Sequence, residues 1–211
     1  MNARGRVVRT TIPNDANELP GDLVNRDFAP TAPNRLWVAD FTYVSTWSGW
    51  VYVAFVIDAY ARRIIGWSAA TSMTTDLVLD ALEQAIWIRD VEGHADLTAL
   101  VGHNDHGSQY TSLRYGQRLA EVGITASTGT VGDSFDNALA ETIIGLYKTE
   151  LIKPRKPWRT VDHVEFATAE WVDWFNHRRL YQYCDDLPPT EYENLYYAIH
   201  NSIPAPTGMP N

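Results

Sequence analysis

Cys184 is the single cysteine among 211 residues, so neither an intrachain disulfide nor a cysteine-rich zinc module can form, and a reducing cytoplasm is the expected setting. Long apolar runs are missing too. The longest, Trp50 to Ile57, has eight residues, against roughly 18 for a membrane span. Nothing ahead of it has the charged and apolar regions of a signal peptide. Positive charge is scarce: 17 Lys and Arg face 26 Asp and Glu, a net charge of −9. That balance argues against a general nucleic-acid binder, which needs a basic surface. Internal repeats and low-complexity segments are absent. With 45% hydrophobic and 20% charged residues, disordered, collagenous and coiled-coil chains are excluded. One globular domain, with a well-filled core drawing on eight Trp and eleven Tyr, fits the length.

The charge is unevenly spread. Residues 36–141 carry five Lys or Arg against thirteen Asp or Glu, whereas residues 145–160 carry Lys148, Lys153, Arg155, Lys156 and Arg159 against Glu150 alone. An acidic block is either a solvated face or a carboxylate cluster that binds cations.

Residues 1–34, with Pro13, Pro20, Pro30 and Pro33 and no periodicity, read as an extended lead-in. From Leu36 three strands follow in quick succession: Leu36 to Val44, Trp50 to Ile57 after the Ser48-Gly49 turn, and Arg63 to Ser68. The second is apolar on both faces, as a strand covered on both sides must be. Thr74-Thr75-Asp76 opens a helix with apolar residues recurring every four positions. A fourth strand is expected over Leu97 to His103, a helix over Ser112 to Val122, and a short fifth strand over Gly123 to Ser127. Ser134 is expected to cap a helix running to about Ile152, broken by Pro154 and Pro157. A last helix spans Thr160 to Tyr181, and Pro188-Pro189 is expected to end the fold. This order predicts an α/β domain with a five-stranded mixed sheet flanked by helices: a core over residues 35–182, then a tail over 183–211.

Ligand chemistry in such sheets gathers at strand ends. Asp40 interrupts a hydrophobic strand on the side of Val38 and Thr42, a costly position for a charge unless it is paired or bound to metal. Asp105 sits where the fourth strand gives way to loop, and Glu141 lies two turns into the following helix; 64 residues separate the first two acids and 35 the last two. Singly, each has an ordinary reading: a hydrogen-bonded strand polar, a turn former, a helix-surface residue. Jointly, three carboxylates converging on one edge would repel one another unless divalent cations neutralise them, and oxygen-only ligands select Mg²⁺ or Mn²⁺. Two such ions about 3.5–4 Å apart can clamp an in-line phosphoryl displacement.

Four ordered segments carry a resemblance. They are Trp37-Val38-Ala39-Asp40-Phe41-Thr42-Tyr43, Asp58 to Trp67, His103-Asn104-Asp105-His106-Gly107-Ser108-Gln109-Tyr110-Thr111-Ser112, and Gly132 to Glu141. With Trp174-Phe175-Asn176-His177-Arg178-Arg179, similar to a Tyr-Asn-x-x-Arg segment, they resemble the integrase catalytic core of insertion-sequence-three transposases, a second-reading-frame product of the retroviral-integrase superfamily. The resemblance covers about residues 34–192. It implies an RNase H-like fold, a catalytic and metal-binding DDE triad of Asp40, Asp105 and Glu141, two Mg²⁺ (or Mn²⁺) ions, and DNA 3′-end cleavage with strand transfer. It also implies DNA as partner, both element ends and target, a homo-oligomer in the active complex, and a bacterial cytoplasmic location associated with the nucleoid when DNA is bound.

Asn104 and His106 depart from the family's His-Ser-Asp-Arg-Gly, and the neutral His106 removes a cation beside the acids without removing a ligand. No segment before Leu36 resembles the family's helix-turn-helix. Asn137, Glu141 and Lys148 share one helical stripe, so Lys148 can meet phosphate beside the acid. Gln109 and Tyr110, just past the second acid, are candidate contacts to a DNA end. Arg155, Lys156 and Arg159 are candidates for tracking the backbone, against a solvated loop. His103 reads as a packed strand residue, and Asp58, Asp133 and Asp136 as structural acids. Two rivals stay open: an RNase H-like nuclease that only hydrolyses, and a decayed, non-catalytic DNA-binding or interaction protein.

Overall fold

A computed structural model of the chain describes residues 20–105, 107–129 and 137–201. His106, the Ser134 cap, Asp133, Asp136 and most of the lead-in lie outside them. The elements are β1 (Leu36–Thr46), β2 (Gly49–Asp58), β3 (Arg63–Ala70), α1 (Thr75–Val91), β4 (Val101–Asn104), α2 (Leu113–Glu121), β5 (Thr125–Thr128), α3 (Ala138–Tyr147), α4 (Val161–His177) and α5 (Pro189–Asn201). The strands form one sheet in the order β3-β2-β1-β4-β5. The β1–β2 and β2–β3 pairs are antiparallel, while β1–β4 and β4–β5 are parallel. The mixed sheet read from the sequence is thereby found.

Alternation along β2 explains the layering. Val53, Phe55 and Ile57 belong to a core shared with α3 and α4, while Ala54 and Val56 belong to a second core shared with α1 and α2. Helices therefore cover both faces of the sheet. Gly66 lets α1 approach β3 closely, because a Cβ there would lie 2.1 Å from the Ala81 carbonyl oxygen. On the other face Asn176 of α4 brackets β3, accepting from Ile64 N at 3.0 Å and donating to Ile64 O at 2.8 Å. That Asn of the Trp174–Arg179 segment is a structural clamp.

Several boundaries differ from expectation. β4 begins at Val101 rather than Leu97, because Thr98 N donates to Asp96 Oδ1 (3.1 Å) and Leu100 N to Leu97 O (3.0 Å), folding residues 96–100 into a turn. The described part of α3 starts behind Asn137, and after Tyr147 the helix widens into a π turn over Lys148–Ile152, closed by Lys153 N on Lys148 O at 2.9 Å. α4 ends at His177.

The larger correction concerns Pro188-Pro189. Pro189 begins a 13-residue helix instead of ending the fold, because proline's missing N–H is no loss at a helix's first position. Glu193 of α5 is buried and enters an ion network with Arg89 and Arg63, in which Arg89 Nη2 also donates to Asp58 Oδ2 at 2.9 Å. Asp58 and Arg89 have no exposed side-chain surface. Burial pushes the Asp58 carboxyl up and the Arg89 cation pulls it back; burial disfavours the Arg89 cation, and Glu193 and Asp58 more than reverse that. No helix among the described residues is long and apolar enough to cross a membrane.

Candidate active site

Asp40 lies mid-strand in β1, half-buried, its Oδ1 accepting from Phe41 N at 2.8 Å. In the parallel β1–β4 ladder Ala39 faces Asn104. Asp40 and Asp105 each follow that last pair by one residue, Asp40 continuing in β1 and Asp105 just beyond the end of β4, where adjoining strands are spaced about 4.8 Å. Asp105 Oδ1 accepts from Gly107 N at 2.9 Å, an Asx turn that fixes the carboxylate as the chain leaves the sheet. Gly107 has no room for a side chain there: a Cβ would sit 2.9 Å from that same Oδ1.

The third acid arrives from α3. Asn137, the residue ahead of the helix, donates from Nδ2 to Ala39 O at 3.2 Å, pinning the helix start beside Asp40. Glu141, one turn on, is exposed. Burial pushes the Asp40 carboxyl up to about 7; the Phe41 N–H opposes that, Asp105 and Glu141 add to it, and Lys148 opposes it. Asp40 thus feels two further carboxylates and one ammonium, from the loop after β4, from α3 and from the π turn that follows it.

These oxygen donors fit a divalent cation in chemistry. Asp40 meets neutral pH close to its own midpoint, and a bound cation would favour its ionised form. Among the described residues no three His, Cys, Asp or Glu side chains, these three included, stand close enough together to hold a metal ion as they are.

The candidate DNA contacts divide. Gln109, Tyr110 and Asn137 are buried, which corrects their reading as presented groups. Gln109 Nε2 reaches Met73 O at 3.4 Å, the Tyr110 ring packs between Phe41 and Tyr115, and Asn137 is taken up by Ala39. All three side chains are engaged within the chain itself. Lys148 is half-buried, with Nζ 5.3 Å from the Tyr43 ring centre. Arg155 is exposed and paired with Glu170 at 3.3 Å, Lys156 is exposed, and Arg159 lies 5.4 Å above the Trp47 ring. His103 is a packed strand residue, its Nδ1 2.9 Å from Ser127 Oγ. From the sequence Tyr43 and Trp50 read only as strand residues, and Trp47 falls between the two strands. The signal of Tyr43 and Trp50 was alternation, which carries them past the stretch of β1 that β4 covers.

Comparison with known proteins places this geometry. Models described as integrase core domains match residues 30–134 and 122–189. The protein assigned to insertion sequence element IS986/IS6110 of Mycobacterium tuberculosis as its transposase is 67% identical over 195 residues, covering 92% of this chain and 70% of that protein. The transposase of IS629 from Shigella sonnei is 55% identical over 195 residues, with 92% and 63% covered. The chain belongs to the insertion-sequence transposases with an integrase core. It is likewise similar to transposase InsF of IS3A from Escherichia coli, at 32% identity over 174 residues, covering 82% of this chain and 58% of that one. Among solved structures, the HTLV-2 integrase catalytic core in complex with magnesium aligns at TM-score 0.58 and 17% identity, covering 77% of this chain and 98% of that chain. The BIV integrase catalytic core aligns at TM-score 0.58 and 19% identity, covering 80% and 99%. The fold of this transposase is thus the RNase H-like one, and its class is that of the polynucleotidyl transferases.

Proposed function

We propose that Asp40, Asp105 and Glu141 work as one centre that cleaves a DNA strand at a 3′ end and joins that end to a target strand. The observation that carries this is that Asp40 and Asp105 directly follow the last pair of the β1–β4 ladder, Ala39 and Asn104, with Asp40 shifted to about 7 by burial and by the other two acids. Mg²⁺ or Mn²⁺, two ions in the full reading, would be held by these three carboxylates and would supply charge neutralisation and activation of the attacking oxygen. The chain's own contribution is orientation. Phe41 N–H holds the Asp40 carboxylate and Gly107 N–H holds that of Asp105. The Asn137 bond to Ala39 fixes where Glu141 stands over the strand. Lys148 supplies the cation nearest Asp40, where a phosphate would enter. DNA, both element end and target, is the partner, and the active assembly is a homo-oligomer; a core over residues 35–182 carries the chemistry.

The test is cleavage and joining of labelled terminal-repeat DNA with Mg²⁺ or Mn²⁺. Glu141→Gln is expected to abolish both products while leaving the melting temperature in metal-free buffer unchanged or raised, since a repelling charge has gone. Full activity in that variant would remove Glu141 from the centre, and cleavage without joining by the parent chain would favour a nuclease.

A further inference from the structure

The β1–β2 hairpin extends past the acids as an exposed aromatic surface. β4 accompanies β1 only as far as Ala39, and the next partner of that edge among the described residues is Trp158, bridged to Thr46. Beyond Asp40, Tyr43 is 56% exposed, Trp50 53% and Trp47 71%. Tyr43 and Trp50 meet edge to face at 5.1 Å between ring centres. Such exposure of three large rings on one hairpin marks an interaction surface.

The hairpin is also held rigidly. Trp47 N donates to Trp158 O (3.1 Å), Ser48 N to Arg159 O (3.2 Å) and Ser48 Oγ to the same carbonyl (2.9 Å). Trp158 is itself buried, its Nε1 on Ile152 O at 3.0 Å. The rings thus stand on a clamped support. Each end of the patch carries a cation: Lys148 by Tyr43, Arg159 by Trp47. Alternation puts Tyr43 and Trp50 on the face of the sheet opposite Asp40, and Lys148, which acts on Asp40 and lies by the Tyr43 ring, links the two around the β1 edge that β4 leaves free. Flat π-faces interleaved with cations are the chemistry that binds unpaired nucleotides, rings taking bases and cations taking phosphates. A protein partner would be served by apolar area alone; the cations favour a polyanion.

We propose that Tyr43, Trp50 and Trp47 form a stacking platform for unpaired bases of the DNA strand engaged at Asp40, Asp105 and Glu141. This rests on the DNA-strand-transfer reading above and adds that the substrate strand is held there with bases out of the duplex. Base stacking on one such ring is worth about ten-fold in affinity.

The experiment measures fluorescence anisotropy of residues 1–211 in EDTA with two DNAs of equal duplex length. One ends in a four-nucleotide overhang and the other in four abasic sites, so phosphates match and only bases differ. The parent chain is expected to prefer the base-bearing overhang by about ten-fold. Trp50→Leu is expected to erase the preference while changing affinity for the abasic DNA by less than about two-fold. Trp47→Leu, which leaves the Tyr43–Trp50 pair intact, is expected to weaken it in part, so the outcome does not hang on one variant's folding. 2-Aminopurine in the overhang should be quenched by the parent chain and not by Trp50→Leu. Equal binding of the two DNAs by the parent would overturn the platform and leave the strand-transfer reading standing, as would equal losses on both DNAs in a folded variant. A change in self-association with the preference retained would assign the patch to a second copy instead. Failure of the parent to bind any DNA would overturn the strand-transfer reading, and the platform with it.

Discussion

Asp40 carries the largest functional demand of any one residue, because the fold keeps a carboxylate half-buried between two others. Its pKa stands near 7 in the fold against an ordinary value of 3.8, with burial the first cause. The folded chain therefore holds a proton that the unfolded chain has lost between those values, so stability falls as pH rises through that window. Asp40→Asn should remove this loss. In metal-free buffer its melting temperature should exceed the parent's by several degrees at pH 8, since about 1 kcal/mol moves a chain of this length by about 2–4 °C, and the two should converge near pH 4. A parallel pair of pH–melting curves would show instead that Asp40 titrates unperturbed. The three proposed acids could be picked out in the sequence because a charge inside an apolar strand stands out and because the segments around all three resemble the integrase core. The inward turn of Gln109, Tyr110 and Asn137 was not legible: it depends on which backbone carbonyls, Met73 and Ala39, come within reach.

At the scale of elements, hydrophobic alternation and helical spacing exposed the three early strands, α1, α2 and α4, whereas α5 stayed hidden behind a Pro-Pro pair that reads as a stop. What holds α5 is a long-range ion network, and sequence order gives no sign that Glu193 will meet Arg89, 104 residues away. Breaking a buried pair from one side leaves its partner's charge uncompensated, at about 3–5 kcal/mol. Glu193→Ala should therefore lower the melting temperature by roughly 10 °C, and Asp58→Ala should be comparably harmful. A double change, Arg89→Met with Glu193→Leu, should recover much of the loss, because it removes both charges. If Glu193→Ala melted within about 2 °C of the parent, α5 would not be a stabilising part of the fold.

Across the whole molecule, acids are spread over both layers and an excess of cations is local. Asp76, Asp80, Glu83 and Glu121 line the surface between α1 and α2, where Arg114 and Arg118 are paired with Asp76 and Glu83. The stretch from Lys148 to Arg159 lies beyond the opposite layer, next to the acids and the hairpin rings. With a net charge of −9, and with Asp162, Glu165, Glu170 and Asp173 exposed on α4, a polyanion should be admitted only along the Lys148 to Arg159 stretch, so the field orients DNA more than it binds it. The core alone should then bind duplex weakly and without sequence preference. Affinity should fall with salt at a slope set by few contacts, each neutralised phosphate adding about −0.9 on the log–log scale. Lys148→Ala should remove about one such unit and leave sequence preference unchanged, since phosphate contacts position DNA while base contacts specify it. Arg155→Ala should change the slope less, because Glu170 already engages Arg155. A salt titration with terminal-repeat and scrambled duplexes of equal length reads both effects. Tight, salt-insensitive preference for the repeat by residues 1–211 would overturn this assignment and locate end recognition on the core itself.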